Sequence, residues 1–232
     1  MERKYFKVLM VLMICILLSG CGDKINKDSA IYKAKENMLS NVDNYNMDIN
    51  ITVLTDFGNV DSKMNCTEDR KNEITYCKSS TLGVGTEDYT DSKNKYSYSK
   101  VYDDYGMTTS EWTKTKLPEV NTDQWLGLND YVFDLTEEEV ENGTKYTGNI
   151  ELKKLLGMLE NMDLPIDALK ILNKDIPVEV VVDNDNYIDS MKFSINLMGI
   201  EMIVEIDYKD YNTAGEVVIP EEALNAKEST SN

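Results

Sequence analysis

Apolar residues recur at every second position along much of this chain. Met47, Ile49, Ile51 and Val53 alternate with Asp48, Asn50 and Thr52, and Met191, Phe193, Ile195 and Leu197 with Lys192, Ser194 and Asn196. Ile200, Met202, Val204, Ile206 and Tyr208 do the same against Glu201, Glu205 and Asp207. Successive side chains of a strand point to opposite faces, so these runs predict strands with one dry and one wet face. Asp183-Asn184-Asp185-Asn186 and Met198-Gly199 read as turns that join Val178–Val182 to the last two runs in an antiparallel meander. Less regular runs predict strands at 60–67, 73–79, 95–101, 109–114 and 145–149. About eight strands in one large sheet follow.

Three stretches carry the longer helical period instead. From Ser29 to Val42, Ile31, Ala34 and Met38 share a face; Leu152, Leu155, Leu156 and Leu159 form an apolar stripe; a third stretch begins at Pro165 and carries Ile166, Leu169 and Leu172. The last two form a helical hairpin across 161–164, and the dry face of the sheet is the surface large enough to receive it. The fold class is therefore α+β, a large antiparallel sheet closed by about three helices. Nothing in the sequence between 29 and 226 reads as a linker or repeat, so this body is expected to be a single domain, followed by a polar disordered tail at 227–232.

The first residues have a different character. Glu2, Arg3, Lys4 and Lys7 precede the apolar run VLMVLMICILL, which is too short to span a hydrocarbon layer of ~30 Å. Leu18-Ser19-Gly20-Cys21 then resembles the lipobox of bacterial lipoproteins, which implies cleavage between Gly20 and Cys21 and diacylglyceryl attachment, with palmitate-like chains, to the Cys21 thiol. Residues 1–20 are thus expected to be a lipoprotein signal peptide and 21–28 a lipidated, flexible tether; two acyl chains give durable anchoring where one gives only marginal binding. The expected location is the outer, extracellular side of the cytoplasmic membrane.

Removal of the signal takes away three basic and one acidic residue and leaves 21 Lys+Arg against 41 Asp+Glu, a formal net charge of −20. Such a body lacks the basic footprint that phosphate backbones require, which excludes nucleic acid as a partner. Cys15 leaves with the signal and Cys21 is acylated, so Cys66 and Cys77 remain. They flank the polar turn Asp69-Arg70-Lys71-Asn72, and a hairpin there would set them opposite or diagonal, in a compartment where a disulfide can form. The rival reading, a metal site, lacks further ligands, because the chain has no histidine.

The Tyr45–Thr55 strand, Lys145-Tyr146-Thr147-Gly148 leading into GNIELKKLLGMLENM, the stretch PVEVVVDNDNYIDSMKFSINL and the closing EVVIPEEALNA carry a wider likeness. Together with the lipobox they resemble the Gram-positive bacterial lipoproteins related to LppX and LprG, whose fold is shared with the LolA and LolB carriers. The resemblance implies a strongly curved sheet, a half-barrel, closed by helices over an apolar cavity that can hold acyl chains. On that reading the cavity is lined by Met47, Ile49, Ile51, Leu155, Leu159, Phe193, Ile195, Met202 and Val204. The same residues at the same spacing would equally fill an ordinary core.

Catalysis finds no support. Without histidine there is no Ser-His-Asp or Cys-His arrangement, Leu82 to Gly85 is too short to cradle phosphate, and Glu137-Glu138-Glu139 and Glu221-Glu222 read as solvated surface. Asp183 to Asp185 lacks the Gly and bidentate Glu of a calcium loop, so no metal and no cofactor is expected. Tyr96, Tyr98 and Trp112, in a polar Asp-rich stretch, offer a different class of function: an interaction surface for an envelope protein, or cross-strand packing on a half-wet sheet. The sequence thus describes a membrane-anchored, non-enzymatic lipoprotein that binds a lipid or other apolar ligand, or else a protein-interaction or envelope-sensing module with a filled core.

Overall fold

The computed structural model of the chain describes residues 29–56, 58–103, 106–117, 132–153, 174–197 and 200–229. Eleven strands lie among them: β1 (Asn44–Thr55), β2 (Gly58–Asp69), β3 (Ile74–Thr81), β4 (Val84–Asp91), β5 (Tyr96–Asp103), β6 (Thr113–Lys116), β7 (Val132–Val140), β8 (Gly143–Ile150), β9 (Ile176–Asp183), β10 (Ile188–Leu197) and β11 (Ile200–Lys209). They form one sheet in the order β6-β5-β4-β3-β2-β1-β11-β10-β9-β8-β7. The large antiparallel sheet that the alternation predicts is present. Two of its strands, β4 and β7, escape the sequence reading, because VGTEDYTD and VFDLTEEEV keep few apolar residues on either parity.

Helices are fewer than expected: among the described residues there are two, α1 (Ala30–Ser40) and α2 (Glu221–Leu224), rather than about three. The chain starts α1 where Ser29 accepts a hydrogen bond from the Tyr32 N–H, and it buries Ala34 and Met38. The sequence reading places no helix in the closing EVVIPEEALNA. Pro220 stands at the N-cap of α2 with φ −58°, and its carbonyl accepts the N–H groups of Ala223 and Leu224 at 3.0 and 3.1 Å. The expected helices from Leu152 and from Pro165 lie outside the described residues, apart from Leu152 and Lys153, which are helical.

Contacts group the described residues into two compact units, one of 29–41 with 132–203, the other of 42–117 with 204–229. In the first, β8, β9 and the start of β10 pair antiparallel, and Val178, Val180, Val182, Met191, Phe193 and Ile195 are buried. The Asp183 turn forms as its composition predicts: Asp183 Oδ1 accepts the N–H groups of Asp185 and Tyr187 at 2.9 and 2.8 Å, and Asn186 takes φ 62°. Asn37 of α1 donates to the Asn186 carbonyl at 2.9 Å and so ties the helix to this turn.

In the second unit β1 and β2 pair without a break over their whole lengths, from Asn44↔Asp69 to Thr55↔Gly58. Two of its turns are built alike. Asp69 accepts the backbone N–H and side-chain amide of Asn72 at 3.1 and 2.7 Å; Asp91 accepts the same groups of Asn94 at 2.8 and 2.7 Å. Each then places its next residue, Glu73 (φ 58°) or Lys95 (φ 61°), in the left-handed region that lets the chain reverse. Asp69 also accepts the Val217 N–H at 3.0 Å, which docks the segment after β11. The polar tail expected from 227 runs beside β6 as far as Ser229, whose N–H donates to the Lys114 carbonyl at 2.7 Å.

Cys66 and Cys77 sit directly opposite each other in the β2–β3 register and form a disulfide, with Cα atoms 4.1 Å apart. Replacing both by Ala should lower unfolding stability by roughly 2–3 kcal/mol, since the bridge closes a loop of 11 residues in the unfolded chain. Denaturant titration of the double variant checks this, and an unchanged midpoint would show that the strand pairing alone does the work.

Burial by itself would raise the Asp69 carboxyl, yet the hydrogen bonds from Asn72 and Val217 outweigh it and hold the group below the ordinary carboxylate range. A depressed folded pKa contributes stability above the unfolded value of ~3.9 and loses it as pH falls through the folded value. Asp69→Ala should therefore cost about 1–3 kcal/mol near neutral pH and flatten the loss of stability below about pH 4. Parallel acid limbs in wild type and variant would contradict the assignment.

Candidate functional site

The alternation in β1 puts Met47, Ile49 and Ile51 on one face, at 4–5% exposure, and their register partners extend that face into β2. Met47 stands opposite Cys66 and Ile49 opposite Met64, itself 1% exposed. On β11 the matching row is Val204, Ile206 and Tyr208, all buried. Burying a side chain of this size contributes about 1.5–3 kcal/mol, so the row fixes the parity of three strands at once. Of the proposed cavity residues, Met47, Ile49, Ile51 and Val204 thus share the second unit. Phe193 and Ile195, at 1% and 2% exposure, and the half-buried Met202 belong to the first unit. Leu155 and Leu159 lie outside the described residues.

The dry row of the second unit changes character at one end. Beyond Met47 comes Tyr45, beyond Cys66 comes Glu68, and beyond Ile206 comes Tyr208. The Tyr45 ring lies 5.9 Å from the rings of both Tyr208 and Tyr211. Thr75 donates to Glu68 Oε2 at 2.6 Å. Burial pushes the Glu68 carboxyl up, against the pull of Thr75 and Arg70. Burial likewise raises the Tyr45 and Tyr208 hydroxyls well above their usual range, and the Glu68 charge adds to the rise at Tyr45. The side chains at this end are therefore held toward their neutral forms. The sequence reading includes none of Met64, Glu68 or Tyr45 among its inward candidates. Met64, Cys66 and Glu68 do alternate, but Glu68 ends the run with a charge and hides it.

On the opposite, wet face the strands are stitched by polar pairs. Lys209 pairs with Asp48, Asn65 donates to Asp48 at 2.6 Å, and Asn46 donates to Asp210 at 2.8 Å. The Lys209 hydrogen bond is the main reason the Asp48 carboxyl is lowered.

This face turns aromatic further along. Tyr76, Tyr89 and Tyr98 are successive cross-strand neighbours on β3, β4 and β5. Tyr98 is 2% exposed, while Tyr96 and Trp112 are half-buried against the same cluster, which Val217, Ile219 and Ala223 cover. Lys114 lies 4.2 Å from the Tyr96 ring centroid and 5.6 Å from that of Tyr98, and Lys100 lies 5.4 Å from that of Trp112. The three residues singled out for an interaction surface are thus brought together, as parts of a packed aromatic cluster with lysines over the rings.

Among the described residues no three His, Cys, Asp or Glu side chains converge as a metal site, and no helix is long and apolar enough to cross a membrane. Cys21 and Gly20 lie outside the described residues.

No protein-family profile and no curated protein matches the chain. Among solved structures it is similar to the lipoprotein LppX of Mycobacterium tuberculosis, at 14% identity and a TM-score of 0.46 over 79% of this chain and 93% of that one. It is also similar to a DUF1329 family protein of Desulfovibrio piger, at 7% identity and a TM-score of 0.29 over 79% of this chain and 91% of that one. A third is a β-barrel-like DUF1849 protein of Brucella abortus, at 7% identity and a TM-score of 0.30 over 71% and 97%.

Proposed function

We propose that this chain is a non-enzymatic lipoprotein of the Gram-positive type, held by acylated Cys21 on the outer face of the cytoplasmic membrane, that binds a lipid or other hydrophobic ligand on the dry face of its sheet. The observation that carries the reading is the buried row of Met47, Ile49 and Ile51 on β1, Met64 and Cys66 on β2 and Val204 and Ile206 on β11, which ends in neutral-leaning hydroxyl and carboxyl groups rather than in a ring of charges. A buried row that is apolar along its length and polar at one end matches an amphiphile better than a soluble polar metabolite. Leu18-Ser19-Gly20-Cys21 supports the anchor.

A second reading, an interaction module, is favoured by a separate observation. Leu82, Val84 and Met107 are 80%, 53% and 67% exposed at neighbouring strand ends, with Val84 opposite Asp103 and the Asp103 N–H donating to the Met107 carbonyl at 3.0 Å. Adjoining exposed apolar side chains mark surfaces that other molecules cover.

Two measurements test the proposal. Cys21→Ala should leave unprocessed precursor and abolish acyl labelling; mature, membrane-held protein would refute the lipobox. Native mass spectrometry of the protein from its own bacterium, followed by organic extraction, should find a lipid in near-stoichiometric amount. Protein that is bare in every preparation would transfer the weight to the interaction reading.

A further inference from the structure

The hydroxyl of Tyr208 stands apart among the buried polar side-chain atoms of the described residues, because it makes no hydrogen bond. The residue is 5% exposed, and a buried hydroxyl without a partner costs about 1–3 kcal/mol. Such orphans are scarce in folded proteins, and each calls for a physical explanation. Two described carboxylates at comparable depth are satisfied: Asp69 and Asp91, at 2% and 4% exposure, accept several hydrogen bonds each.

Its position is as informative as its isolation. Tyr208 ends the dry row of β11, beside Tyr45, which ends that of β1, and Glu68 on β2 acts electrostatically on Tyr45. The apolar part of the row, Met47, Ile49 and Ile51, runs away from this end. Glu68 and Arg70 act on Tyr45 with opposite signs, so charge of neither sign prevails here to select an anionic or a cationic head. A ligand hydroxyl both donates and accepts, as the tyrosine hydroxyls do.

We infer that the Tyr208 hydroxyl, with Tyr45 and Glu68 beside it, receives the uncharged, hydroxyl-bearing head of an amphiphilic lipid whose chain lies along Met47, Ile49 and Ile51. This rests on the lipid-binding reading above and adds the class of head group and its place.

The test uses the processed chain, residues 21–232 with Cys21→Ser to keep it free of acyl groups, and two probes: 1-monooleoylglycerol, and methyl oleate, which has the same acyl chain without the hydroxyls. Wild type should bind the monoglyceride roughly tenfold more tightly, the factor that one added hydrogen bond supplies. Tyr208→Phe should keep its affinity for methyl oleate and lose the preference. Without ligand it should melt at the same temperature as wild type or higher, since it removes only an unpartnered hydroxyl. A preference that survives in Tyr208→Phe overturns the inference, and so does a lower melting temperature of the ligand-free variant, which would mean that the hydroxyl already has a partner. Equal binding of both probes by wild type overturns the head-group assignment while leaving the lipid-binding reading intact; binding of neither overturns both.

Discussion

The rest of this structure depends on the strict two-residue period of its strands, combined with the need to keep one side of them dry. In β1 every second residue from Tyr45 to Ile51 is buried and its neighbours are wetter, so a slip of one residue would expose Met47, Ile49 and Ile51 and bury Asn46, Asp48 and Asn50. No compensation for that exchange is available, since each buried amide or carboxylate would need a new partner. The register with β2 is therefore pinned along its whole length, and the separate register of β2 with β3 sets Cys66 opposite Cys77. The disulfide locks a geometry that the side chains already dictate.

Where the strands end, the same economy appears in polar form. Asp69 and Asp91 are buried carboxylates, which would be costly if unpaired, yet each caps its own turn through a neighbouring Asn. Asp69 goes further and accepts the Val217 N–H, so the turn between β2 and β3 holds the segment that covers the aromatic cluster. Local turn chemistry and long-range packing are joined in one carboxylate. That explains how a wet-face cluster of Tyr76, Tyr89 and Tyr98 becomes a second core: an external segment is fastened over it, and Val217, Ile219 and Ala223 supply the apolar cover.

Against this background the end of the dry row at Tyr45, Glu68 and Tyr208 stands out. Elsewhere among the described residues the buried side-chain N and O atoms meet partners, and the wet-face ladder of Asn46, Asp48, Asn65 and Lys209 is likewise paired. At Tyr208 the chain leaves a hydroxyl without one. Among the described residues this exception stands where the apolar row meets Tyr45 and Glu68, and that position is the ground of the proposed head-group site.

The sequence by itself determined the strand parity, the Asp183 turn, the hairpin that brings Cys66 and Cys77 together and the start of α1, because each is a local pattern whose physics is complete within a few residues. The proposed export signal rests on the sequence alone, on an apolar run ending in Leu18-Ser19-Gly20-Cys21. Tertiary structure alone decided the rest. Strands β4 and β7 could not be read from VGTEDYTD and VFDLTEEEV, since what makes them strands is the neighbours that supply their hydrogen bonds. Tyr98 reads in the sequence either as an interface aromatic or as cross-strand packing on a half-wet sheet, and it is packed under Val217 and Ile219, which come more than a hundred residues later. Glu68 and Tyr208 look like the wet and dry ends of ordinary strands, and their meeting around Tyr45 depends on β1 lying between β2 and β11. Periodicity is written along the chain; partnership between distant strands is not, and the candidate site is made of partnership.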